Sequence, residues 1–539
     1  MSVTRNIDER PLLVVPSNPT PNGDLHVGHL AGPFVAADVC RRAARLRGER
    51  AHLLLGTAWH ESHVALKAEQ TGLSSRRVAA WHTAEILRTF AAAAIEPEAM
   101  VEPSADAEVA ALARKTLAGL AARRALVVRD GSVQHCLRCR RDLFGGFVTG
   151  TCPRCGESGA SGTDCEACVR YHDDGELVDA ACAVCGAAAV ARTTRRAYLP
   201  LEPLRRFFEG YLAGVTATPP VRRYFEAVLS APLPDVAVTS SAPVGIDVAD
   251  GSPTRQRLVP AFSLPARFVV ALQQLAPDGR DCAAVARDAR VVLVFGFDNA
   301  FERVFLFPAL LRALTRRVPL PDTLLMSHFY RLDGAKFSTS RNHVVWARDL
   351  IAASSTDEVR YHVAATRPEA GETDFSRAGF EHALRGGFVE SARVWADDVL
   401  DRAHGTFNGI APAPRRLDGA ARDFRADVQR LVSEVWAAYE PASFSCTASA
   451  LRLAELLGRA RRFADAARRA DAPLELRATE TALELATVRA LALAAAPITP
   501  GLAAELFRAL GEPRPSEQRW NGRVAWLQAG RRLRALAEA

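Results

Sequence analysis

The chain has 539 residues, of which 49% are hydrophobic and 24% charged, and carries a formal net charge of +7. That balance excludes a mainly disordered, collagenous or disulfide-stapled miniature protein, and its length predicts three or four domains. The mild excess of positive charge permits contact with a polyanion without requiring it. Of the 68 basic residues, all but Lys67, Lys115 and Lys336 are arginines, so each lysine invites the question of why arginine would not serve there.

The first ten residues are polar, with no apolar segment or small-residue cleavage site, and a cytoplasmic location is the default expectation. Leu12 to Val15 predicts a buried parallel strand. A Pro/Asn/Gly loop follows, then a helix over about Leu30 to Arg47 ended by Gly48, then a second strand at His52 to Leu55. This is a β-loop-α-β unit, whose ligand crevice lies at the carboxyl ends of the strands. Helices are expected to about Arg124, a Cys-rich insert over about 130–190, and strands again near 235–300, clearest at Val291 to Phe295. From about 380 the Ala/Leu/Arg-rich pattern predicts a helical bundle. The longest apolar run, Leu485 to Ile498, carries Arg489 and reads as a buried helix rather than a membrane span. The expected fold class is therefore α/β: a Rossmann-like domain with an insert and a C-terminal α-helical bundle.

Three constellations carry chemistry. Pro21-Asn22-Gly23-Asp-Leu-His26-Val-Gly28-His29 follows the first strand and opens a helix. It offers two imidazole donors and an exposed backbone at Gly28, where a nucleotide can approach closely. An H-x-G-H alone recurs by chance; the strand–loop–helix setting gives it weight. The second is Gly334-Ala-Lys336-Phe-Ser338-Thr339-Ser340-Arg341, a hydroxyl-rich loop around one lysine, whose compact charge suits a polyphosphate. The third is four Cys-x-x-Cys pairs: Cys136/Cys139, Cys152/Cys155, Cys165/Cys168 and Cys182/Cys185. Two such pairs can fill one tetrahedral zinc site. The short Cys155–Cys165 spacing suggests that the inner pairs share one zinc and the outer pairs a second. Cys40, Cys282 and Cys446 read as buried small apolar residues.

The first two motifs together resemble the signature pair of class I aminoacyl-tRNA synthetases, and the flanks are similar to methionyl-tRNA synthetases nearly end to end. Supporting segments are Leu66-Lys-Ala-Glu-Gln70, Cys136 to Cys185, Phe295-Gly296-Phe-Asp298, Phe307-Pro-Ala-Leu-Leu311, Asp333 to Asn342 and Ala496-Pro-Ile-Thr-Pro500 with Leu506 to Pro513. The resemblance implies a first catalytic half over 1–129, a zinc-binding connective insert over 130–195 and a second catalytic half over 196–330. A KMSKS-like loop and stem-contact region over 331–378 and an anticodon-binding-like domain over 379–539 complete it. It implies catalytic His26, His29 and Lys336; ATP contacts at Asn22, Gly23, Gly28, Gly296, Asp298, Ser338, Thr339 and Ser340; and ATP with Mg²⁺ and two structural Zn²⁺.

The implied amino-acid pocket departs from the family. At the family's ammonium-binding Asp, within Gly56-Thr-Ala58-Trp59-His60, stands Ala58; the loop aromatic is Thr20. The Tyr-Val-Trp-x-Asp segment is Phe268-Val-Val270-Ala-Leu272, and a Phe-His pair is Glu302-Arg303. These positions are expected to line the substrate. Losing the partner of a buried ammonium costs on the order of 2–5 kcal/mol, so the expectation is either another amino acid, with charge partners at Glu302, Glu61 or Asp298, or an acid that lacks an α-ammonium. Arg303 is free to pair a second carboxylate on the substrate. The family's second loop lysine is Thr339. The anticodon-reading positions carry Val394 and Asp398, and the family's Pro-Trp is Asp471-Ala-Pro473-Leu474; an appended tRNA-binding domain is not expected.

The leading expectation is a paralogue that activates an amino acid with ATP and passes the acyl group to a small amine or N-hydroxylamine. Its example is the synthetase-like half of hydrazine synthetases in bacterial natural product biosynthesis, where a separate cupin partner would complete N–N bond formation. The alternative is a methionine–tRNA ligase with tRNA as partner. A third reading is an inactive synthetase-like binding protein.

Overall fold

The computed structural model describes residues 9–163, 165–248, 256–276, 286–337, 343–415, 417–467 and 472–536. Its centre is a six-stranded parallel sheet. The strand order is Thr216–Ala217, Thr323–Ser327, Arg290–Gly296, Leu12–Pro16, Ala51–Gly56 and Ala99–Val101. Leu12, Leu13 and Val14, with Val291, Val292 and Val294, are almost fully buried. That matches the unbroken apolar runs, since a parallel strand is covered on both faces. The three strands expected at Leu12, His52 and Val291 are thus central neighbours.

The helix expected from Leu30 begins earlier, at Val27, and passes through a π-turn at Leu30–Phe34 before Val35–Leu46. Pro33 cannot donate to the regular ladder, and the π-turn accommodates it. The early start places Gly28 and His29 in the first helical turn, at the carboxyl edge of the sheet.

The Cys-rich insert stands on a long antiparallel stem, Val127–Cys136 against Val190–Pro200, in register from Val127↔Tyr198 to His135↔Val190. It docks back through Gly145 and Gly146. The Gly146 N–H donates to Ser62 Oγ at 2.8 Å, and a Cβ on Gly145 (φ +57°) would fall 2.3 Å from that oxygen. Only glycine permits so close an approach.

The C-terminal region is helical, with Phe388–Phe407, Gly419–Ala438, Cys446–Ala467, Leu474–Ala495 and Pro500–Ala509. It is joined to the sheet domain by buried charge. Arg360 pairs with Asp38 at 2.7 Å, both side chains fully buried, and donates to the carbonyls of Pro497 and Ile498 at 2.8 Å each. Asp38 is held near a pKa of 2 despite its burial, because Arg360, Arg42 and Arg41 surround it. The Ala496 to Pro500 motif therefore anchors one domain on the other. No helix among the described residues is long and apolar enough to cross a membrane.

Candidate active site

His26 and His29 lie at the carboxyl edge of the central sheet with ring centroids 3.8 Å apart. His29 Nδ1 accepts the His26 backbone N–H at 3.1 Å, which leaves the proton of its neutral ring on Nε2. Burial lowers the His29 pKa to about 4 and holds His26 well below the usual range, so both rings are neutral at pH 7. His26 stacks on Phe337 at 4.5 Å between ring centroids. A Cβ on Gly28 would meet that His26 ring at 3.0 Å and Phe337 at 3.2 Å. The Val27 N–H donates to the Val345 carbonyl at 2.9 Å, and Ala347 N–H to that of Leu25 at 3.0 Å. The histidine motif and the segment after the lysine loop are thereby locked together.

Lys336 lies on a short strand, Ala335–Lys336, paired antiparallel with Tyr330–Leu332. Its ammonium lies over the Phe329 ring at 5.1 Å and is ion-paired with Glu166, from the insert. Its charge acts on His26, His63 and Asp298 together, and its partner Glu166 lines the cavity beside them. Ser338, Thr339, Ser340, Arg341 and Asn342 lie outside the described residues. Asn22 closes a turn onto the Thr20 carbonyl at 2.9 Å, and Gly23 faces the Trp346 ring. Gly296 ends its strand where a Cβ would fall 2.5 Å from Asp298 Oδ1.

The adjoining cavity, about 240 Å³, is lined by Thr20, Ala58, Glu61, Asp298, Glu302 and Arg303, all from the sheet domain, with Glu166 and Tyr171 from the insert. The expected charge partners therefore converge on one space. Three other expected substrate contacts do not. Trp59 and His60 turn to Asp106, at 2.7 Å from Trp59 Nε1 and 2.8 Å from His60 Nε2, and line a neighbouring cavity. Val270 packs into the hydrophobic core at 2% exposure. One helical turn earlier, Arg267 lines the cavity instead, a residue that sequence reasoning missed. The signal was there: it is the single charge in the apolar stretch Ser263 to Leu272. Burial and repulsion from Glu302 push Glu61 up to about 7, while burial lowers Arg267 to about 10.

The eight clustered cysteines form two groups of four, Cys136/Cys139/Cys182/Cys185 and Cys152/Cys155/Cys165/Cys168, the inner and outer pairing expected. Sulfur–sulfur distances are 3.5 and 3.9 Å in the first and 3.9 and 3.7 Å in the second. None is a disulfide. Four thiolates about 2.3 Å from one zinc stand about 3.8 Å apart, so the donor sets fit zinc, with every ligand position filled. Cys40 and Cys446 are fully buried, as expected of small apolar residues; Cys282 lies outside the described residues.

A parallel sheet carrying H-x-G-H at its carboxyl edge, faced by a lysine-bearing hairpin and walled by an inserted cysteine module, defines the catalytic half of a class I synthetase fold. The family model described as "tRNA synthetases class I (M)" matches residues 12–391, and the chain belongs to that family. A methionine–tRNA ligase of Porphyromonas gingivalis is 28% identical over 409 residues, 75% of this chain but 60% of that protein. One from Chlorobium chlorochromatii is 27% identical over 557 residues, 98% of this chain and 78% of the relative. The fold is that of Mycobacterium tuberculosis methionyl-tRNA synthetase in complex with methionyl-adenylate, with a TM-score of 0.80 at 17% identity over 97% of this chain and 98% of that one.

Proposed function

We propose that this chain is an ATP-dependent, AMP-forming ligase that converts an amino acid to its aminoacyl-adenylate. The observation that carries the proposal is the meeting of neutral His26 and His29 with Lys336 beside a charged cavity. In the proposed step an oxygen of the amino-acid carboxylate attacks the α-phosphorus of ATP in line. The bond from the α-phosphorus to the bridging oxygen breaks, and its electron pair leaves with pyrophosphate. The imidazole N–H groups and the ammonium meet the charge that grows on the phosphates. Mg²⁺ accompanies the nucleotide as counter-ion, and Zn²⁺ in the two cysteine clusters holds the insert in shape.

For the second step two acceptors are in play. The names of the relatives support tRNA, and with it methionine as the acid. Transfer to a small amine or N-hydroxylamine in specialised metabolism, with a separate cupin partner where an N–N bond is made, is favoured by the charged cavity. The helical domain points the same way: Val394 and Leu474 stand exposed, and Arg402 is tied to Asp398 and Glu484. Asp471 lies outside the described residues.

The test is ATP–pyrophosphate exchange over a panel of amino acids, with and without total tRNA. Exchange with at least one acid, lost in Lys336→Ala, supports adenylation; none with any acid under either condition removes it. Charging of tRNA with methionine would select the relatives' activity.

A further inference from the structure

Two arginines line the cavity with donors that nothing in the fold uses. Arg267 is 2% exposed and Arg303 5%. Arg267 Nη1 donates to Ser263 Oγ at 2.6 Å, but Arg267 Nε and Nη2 and Arg303 Nε have no partner among the described residues. Glu61 and Glu302 line the same space, yet no ion pair closes between either glutamate and either arginine. Left so, buried cations and unpaired N–H groups are costly, and a fold that needed only stability would pair them or replace them with apolar side chains. Ala58 and Thr20, both small, line the same space. At about 240 Å³ the cavity falls below the roughly 300–1,000 Å³ of drug-sized sites and suits one small ligand.

The ligand must then present an acceptor to the arginines and a donor to the glutamates. A thioether side chain is only a weak acceptor and would leave the guanidinium N–H groups unpaired. A basic side chain would satisfy the glutamates and add a third buried cation beside two unpartnered ones. A carboxylate meets a guanidinium with two parallel hydrogen bonds.

We infer that this cavity binds an amino acid with a second carboxylate, of aspartate or glutamate type. The side-chain carboxylate lies against Arg267 and Arg303, and the ammonium against Glu61 and Glu302. What then happens at the α-carboxylate rests on the adenylation reading; the binding does not.

The test is equilibrium dialysis of the full zinc-loaded chain against aspartate, glutamate, methionine and lysine, with and without a non-hydrolysable ATP analogue. Aspartate or glutamate is expected to bind at least about 30-fold more tightly than methionine or lysine, and Arg303→Met to remove that margin. Tighter binding of methionine or lysine, or no binding of either acidic amino acid at millimolar concentration, overturns the inference. Should Arg303→Met fail to fold, the wild-type selectivity alone decides. Exchange separates the two readings. Acidic amino-acid binding without exchange keeps the pocket assignment and removes adenylation. Methionine-dependent exchange, with no acidic amino acid binding, does the reverse.

Discussion

The ammonium of Lys336 is paired with the carboxylate of Glu166, so the lysine of the Tyr330–Lys336 hairpin is held by the second cysteine cluster. Both side chains are substantially exposed, at 43% and 59%. Such a pair is worth only about 0–1 kcal/mol, little enough to yield when a polyphosphate competes for the lysine.

The first prediction follows from that contact. Glu166→Gln should lower the KM for ATP in pyrophosphate exchange by up to about fivefold, with kcat and bound metal unchanged. Steady-state exchange over a range of ATP concentrations reads this out. An unchanged or raised KM would mean that the pair does not compete with nucleotide.

A second prediction concerns the lysine itself. Lys336→Ala should slow exchange by about 10²–10³, the usual worth of one preorganised donor. Lys336→Arg should remain at least about tenfold slow, because a planar guanidinium does not reproduce a compact ammonium. Near-normal exchange in the arginine variant would remove any meaning from the scarcity of lysine in this chain.

The buried histidines make stability depend on pH. The pKa of His29 is about 4 in the fold against an ordinary 6.5, so between these values the unfolded chain binds more protons. Its contribution is fully present above pH 6.5 and is lost as pH falls towards 4, at most about 1.4 kcal/mol per pH unit. Urea midpoints measured from pH 7 to 4 should therefore fall more steeply in the wild type than in His29→Gln. Equal slopes would assign the acid sensitivity to another group.

Metal analysis should find two zinc ions per chain, and Cys155→Ser should retain only one. Strong chelation should lower the melting temperature and weaken amino-acid binding, because the insert supplies Glu166 and Tyr171 to the cavity wall. Chelation that removes zinc but leaves both unchanged would show that the hairpin stem and the Gly145–Gly146 contact hold the wall unaided.

Much of the architecture was legible in the residues. Unbroken apolar runs marked Leu12–Pro16 and Arg290–Gly296, since a strand buried on both faces needs no polar alternation. Cys-x-x-Cys spacing marked both metal clusters, because two residues between thiols fit one tetrahedral ion. The candidate pocket was legible only in part. Glu61, Glu302 and Asp298 were anticipated as charge partners and Arg303 as the partner of a second carboxylate, and all four line it. Trp59, His60 and Val270 were expected beside them, yet they face Asp106 or the hydrophobic core. Matching a residue to a family position does not determine its rotamer or which side of a turn it occupies.

The sequence by itself determined the kinds of groups present: two imidazoles before a helix, a rare lysine in a hydroxyl-rich loop, eight paired thiols and a family membership. These are local patterns, legible because their chemistry depends on spacing of a few residues. Only the tertiary structure decided that Arg267, 206 positions beyond Glu61 in the chain, shares a cavity with it, and that Glu166 reaches Lys336 across 170 residues. Those meetings depend on how the insert and the apolar Ser263–Gln274 helix pack on the sheet. Packing sums many weak non-local contacts that no short run of residues records.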